Sequence, residues 1–171
     1  MFRSPRRSWA ARSFRRDEQG ATAVEFAFVA PVLFFALLSL VEVGMLGMMM
    51  MSVDAAVLDA ARRIRTGRDD AATSAQAFED QICSHIGGGL TNCRNRLIIS
   101  VKKYAKFSDA NAVAAQAPDG TFDKGGAGDI IIVKANYTWP LLTPFLGNLE
   151  RVGPTNVVIP ARAAFKNEPF D

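Results

Sequence analysis

The sequence predicts an α+β fold: a long N-terminal transmembrane helix, a short second helix and a small antiparallel sheet of about three strands. Three observations predict it. An apolar run from Phe26 to Met51 is broken by a single charge, Glu42. A later stretch places Ala75, Phe78, Ile82 and then His85 or Ile86 at helical spacing. Beyond it lie three β-branched stretches, two of which alternate apolar and polar residues.

The chain opens on MFRSPRRSWAARSFRRDEQG. This segment carries six arginines against Asp17 and Glu18, a charge of +4, whereas the whole chain is +3. The remainder therefore carries −1, and the basic pI belongs to a short leader. A body of that charge has no electrostatic footprint for nucleic acid. The residues divide into a leader (1–20), a transmembrane and extended helix (21–68) and an outer α+β domain (69–171).

A helix needs about 20 apolar residues to cross a bilayer, and the run from Phe26 exceeds that. The competing reading is a discarded signal peptide, whose apolar stretch is about 7–15 residues with a small-x-small cleavage site behind it. This run is longer and passes into Val53–Arg65, which still reads as helix. The six leading arginines place the N-terminus in the cytoplasm and the body outside it. Pro31 removes one helical hydrogen bond. Ala23, Ala27, Ala30, Gly44 and Gly47 offer small surfaces for close helix contact. Met48 to Met51 point in different directions on a helix and read as packing.

Two acids lie on this helix. Glu25 sits inside its start, and an ionised carboxylate at mid-bilayer costs about 2.5–3.5 kcal/mol. Cleavage after Gly20 would put a new α-amine on Ala21, one helical turn from Glu25. Two readings stand: Glu25 pairs with such an amine, or it marks the interface where an acid suits the helix dipole. Glu42 is 17 residues further on, about 25 Å along a helix, so the two acids cannot share a proton. Glu42 is expected at the outer interface, solvated or facing a partner helix.

The segment QGATAVEFAFVAPVLFFALLSLVEVGMLGMMMMSVDAAVLDAARRIRTGR resembles the TadE-type segment of tight-adherence (Tad/Flp) pilus systems. The resemblance rests on Gly20, the Val24-Glu25-Phe26 triplet, Pro31, the Val41-Glu42-Val43-Gly44 group and Ala60-Ala61-Arg62 leading to Arg65-Thr66-Gly67. The tail Ala164–Phe170 is also similar, with Lys166 in place of the expected Arg. The chain length suits TadE better than the generally larger TadG. More broadly, a basic leader, a glycine and a glutamate at the fifth mature position resemble a prepilin cleavage motif. The resemblance implies a minor pilin (pseudopilin) cut between Gly20 and Ala21 by a prepilin peptidase. Glu25, Phe26 and Glu42 would then serve helix register and assembly, and Pro31, Gly44 and Gly47 helix packing. The implied partners are that peptidase, other Tad minor pilins, the major Flp pilin and an inner-membrane assembly platform. The implied location is the bacterial inner membrane, with the outer domain periplasmic. Ala21 replaces the phenylalanine found at many mature pilin termini, which excludes N-methylphenylalanine but not cleavage.

Beyond the first helix, Thr66-Gly67 reads as its C-cap. The second helix is expected from Ala71 to about Ile86, ended by Gly87-Gly88-Gly89. Strands are expected over 97–101, 129–139 and 156–165, and Pro160 puts the last at an edge or a bulge. The loop 106–128 is expected to be partly helical around 109–115. In an oxidising compartment Cys83 and Cys93 form a structural disulfide. On the cytoplasmic side they would be free thiols or weak metal ligands. With a single histidine they make a poor zinc set. His85 lies near Cys83, yet no orienting group or oxyanion site completes a catalytic dyad. No cofactor, metal site or enzymatic activity is expected. The alternative reading is an unprocessed, membrane-anchored periplasmic binding module, using the 106–128 loop or a Tyr137, Trp139 and Phe145 aromatic patch.

Overall fold

The computed structural model describes residues 19–86, 92–109, 116–142 and 156–169. Helix α1 runs Gln19–Arg65, α2 Ala75–His85 and α3 Cys93–Arg96. Strands β1 (Leu97–Tyr104), β2 (Ile130–Pro140) and β3 (Asn156–Lys166) form one antiparallel sheet in the order β1-β2-β3. The α+β class therefore holds. The chain divides into two compact units, residues 1–41 and residues 42–171.

In the second unit, α1 presents a stripe at helical spacing: Leu46, Met49, Val53, Ala56, Val57, Ala60, Ala61 and Ile64. It joins one core with Phe78 and Ile82 of α2 and the inner face of the sheet. That face is set by two-residue alternation, with Ile99, Val101, Ile131, Val133, Ala135, Tyr137, Val157 and Ile159 all buried. The small Ala60 and Ala61 are buried in that core.

α1 ends in a Schellman arrangement. Gly67 takes a φ of 61°. Its N–H donates to Ile64 O at 3.1 Å, and Arg68 N–H donates to Arg63 O at 3.2 Å. Only glycine takes that backbone angle at little cost. The segment after it is irregular, so α2 starts at Ala75 and not at Ala71. Asp70 cannot cap it, because its carboxylate is held by Arg63 at 3.0 Å and Arg68 at 2.8 Å. Ser74 caps instead, its Oγ accepting from Ala77 N–H at 3.2 Å.

The disulfide Cys83–Cys93 joins α2 to α3, with Cα atoms 5.8 Å apart. Arg96 of α3 is followed at once by Leu97 of β1, so the bridge sets the approach to the first strand. β1 extends to Tyr104, beyond the expected Val101, because Lys102 to Tyr104 continue the register opposite Ile130 to Ile132. Pro160 lies in β3, an edge strand, and is exposed. The outer edge of β1 is covered by the segment 119–123. There Gly120 N–H donates to Ile99 O, Val101 N–H to Thr121 O and Asp123 N–H to Val101 O, at 2.8–2.9 Å. Part of the 106–128 loop is thus a strap along a strand. Residues 110–115, where helix is expected, lie outside the described residues, as do Gly87–Gly89.

Tyr137 is 1% exposed and belongs to the core. Its inward position follows from pairing with Leu97 and Ile159 on the inner face. Trp139 packs partly buried against the same core. The proposed aromatic patch therefore lacks Tyr137, and Phe145 lies outside the described residues.

Candidate functional site

The residues that carry the sequence motif sit on α1. Gln19 and Gly20 are already helical, so the Gly20–Ala21 bond lies within the helix. Gly20 is exposed, and a Cβ added there would meet nothing within 4 Å. Nothing among the described residues needs glycine at this point for space. What glycine supplies is an easily opened backbone, since it costs a helix interior about 1 kcal/mol relative to alanine.

Ala21, Glu25 and Phe26 are exposed. Glu25 makes no hydrogen bond or ion pair with the described residues. Beyond it the helix surface is apolar: Phe26 is 66% exposed, and Phe28, Val32, Leu33 and Phe34 are also open. The helix is long and apolar enough to cross a membrane. Pro31 lies inside it. Ser39 Oγ donates back to Phe35 O at 2.9 Å, a bond that slightly loosens a helix.

In the second unit, Gly44 and Gly47 are exposed, and each has open space where a Cβ would stand. Their lack of a side chain leaves a smooth strip between the exposed Met45, Met48 and Met51. Glu42 behaves differently from its expectation as a solvated or partner-facing acid. It is 4% exposed, and its Oε1 accepts a hydrogen bond from the Leu142 N–H of its own chain. It ties the helix to the segment that follows β2.

The titratable groups at the helix end form a network. Arg63 donates to Asp59 at 2.8 Å and to Asp70 at 3.0 Å, and Arg68 also reaches Asp70. His85 Nε2 stands 3.8 Å from Asp59 on the surface, and the neighbouring Cys83 is in the disulfide. Arg65 pairs with Glu168 at 3.4 Å, and Glu168 N–H donates to Arg65 O at 2.9 Å. The tail is fixed further by the buried Asn167, whose Nδ2 donates to Lys124 O and Gly126 O at 3.0 and 2.9 Å. No group of three metal-ligating side chains occurs among the described residues.

Sequence reasoning did not find the Glu42–Leu142 bond, the Asn167 clamp or the Ser74 cap. Of these, only Ser74 carried a local signal: a serine before an apolar helical repeat.

Residues 20–62 match the TadE-like protein family. The match covers about a quarter of the chain and bears out the resemblance over that segment. No curated protein and no solved structure matches the chain.

Proposed function

We propose that the chain is a minor pilin-like component of a Tad/Flp-type adhesive pilus machine, processed after Gly20 by a prepilin peptidase. The observation that carries this reading is the match over residues 20–62, which spans Gly20, Ala21 and Glu25 and the exposed apolar helix. The mature helix packs laterally against other pilin helices in the inner membrane. Removing the leader removes six arginines from the chain's cytoplasmic end. Glu25 neutralises an α-amine on a neighbouring subunit and so sets axial register, as a buried polar group can. The protein supplies structure and turns nothing over. Its partners are the peptidase, other Tad minor pilins, the major Flp pilin and the assembly platform.

The test is the N-terminal mass of membrane-extracted protein, from cells with and without the peptidase. The expected result is a terminus at Ala21 that depends on the peptidase. An intact leader in both would leave a membrane-anchored periplasmic module and would remove the pilin-like reading.

A further inference from the structure

Every methionine of the chain except Met1 lies between residues 45 and 51. Helix α1 sorts these side chains by direction. Met49 is buried in the core and Met50 packs against it, whereas Met45, Met48 and Met51 are 46%, 68% and 75% exposed. Consecutive methionines diverge on a helix, but residues three apart share a face, with about 5–6 Å between their Cβ atoms. Met45, Met48 and Met51 therefore form a run of thioethers on one exposed face.

Two glycines clear room for them. Helical side chains lean back over the positions three and four residues earlier. For Met48 those positions are Met45 and Gly44, and for Met51 they are Met48 and Gly47. A Cβ added at either glycine would meet nothing within 4 Å, so both thioethers have open space on the side of the preceding methionine. The nearby charge suits a cation. Asp54, one turn beyond Met51, is exposed and makes no ion pair among the described residues. No basic residue occurs on α1 before Arg62. The two cysteines of the chain are joined to each other, so no thiolate competes for a soft ion. The one histidine, His85, stands beside Asp59, about two turns further along the helix.

We propose that Met45, Met48 and Met51 form a site for a soft monovalent metal ion, Cu(I), held by their thioether sulfurs on the surface of α1. Thioethers are neutral, polarizable donors that select Cu(I) over harder divalent ions. Asp54 supplies a negative charge that draws the cation without ligating it. Met49, turned into the core, takes no part. A thioether carries no proton to displace. Unlike an imidazole site, this one keeps its affinity as the pH falls through about 6.5. The inference stands on α1 alone and does not depend on the pilus reading.

The test uses the full chain in an uncharged detergent, with its methionine methyl groups isotope-labelled for NMR. Cu(I), kept reduced by ascorbate, is titrated in competition with the colorimetric chelator bicinchoninate, and Zn(II) serves as the comparison ion. Saturable uptake is expected, with methyl shifts at Met45, Met48 and Met51 and none at Met49. Leucine keeps the size and apolar character of methionine, so leucine variants preserve the fold. Met45→Leu, Met48→Leu and Met51→Leu should each weaken Cu(I) binding about tenfold or more, and Met49→Leu should leave it unchanged. The affinity should be equal at about pH 5 and about pH 7, on either side of the histidine range. Affinity that survives replacement of all three exposed methionines, that falls equally in Met49→Leu, or that Zn(II) matches would overturn the site. So would uptake that never saturates.

Discussion

Glu25 and Glu42 are the same residue type on one helix, and their surroundings differ. Glu25 is exposed among apolar side chains, whereas Glu42 is buried and receives a backbone N–H. A carboxylate that has found a donor in its own chain is satisfied; one with no partner among the described residues is the better candidate for a bond to another subunit. Glu25→Ala should therefore be cut normally, with a terminus at Ala21, yet fail to assemble pili when counted by electron microscopy. Normal piliation in that variant would end the register role. The sequence shows both acids equally well and separates their roles poorly. Leu142 lies 100 residues from Glu42, and no local pattern announces a bond over that distance. The same holds for Lys134 and Arg162, which meet only once the strand register is known.

Elements were more legible than contacts. The long helix follows from an apolar run that no small soluble core could bury, and the strands follow from two-residue alternation. The start of α2 was less legible, because Asp69-Asp70 resembles an N-terminal acid pair. The Schellman end of α1 and the arginines around Asp70 use up that signal, and Ser74 takes the cap. β1 ran longer than its apolar residues suggest because polar Lys102 and Lys103 extend the backbone ladder opposite Ile132 and Ile131. The disulfide joins α2 to α3 just ahead of β1. Reducing it should lower stability by about 2–4 kcal/mol in denaturant unfolding. Labelling of both cysteines in the native, unreduced protein would show that the bridge does not form.

At the scale of the whole molecule, the two compact units expose different surfaces. The second unit buries the apolar stripe of α1 under a sheet, while the first leaves nearly every large apolar side chain open. Water does not tolerate so large a contiguous apolar patch on a monomer. A bilayer or other helices must cover it. The chain should stay in the membrane fraction through an alkaline carbonate wash and leave it only in detergent. Release by the wash would mean that the helix is not inserted. The family match ends at residue 62, within the helix, so what the chain shares with TadE-like proteins is the exposed apolar stretch and most of the buried stripe that follows it. The sheet, the strap and the charged outer face belong to the stretch beyond that match.

Pro31 leaves one further mark on this helix. Without an N–H at position 31, the carbonyl oxygen of Ala27 has no donor four residues on. In water the gap is filled by solvent. In hydrocarbon there is no solvent to fill it, and an unsatisfied acceptor costs several kcal/mol. If this segment lies in hydrocarbon, that acceptor calls for a donor from a local adjustment of the helix, a hydroxyl side chain, an ordered water or a neighbouring helix.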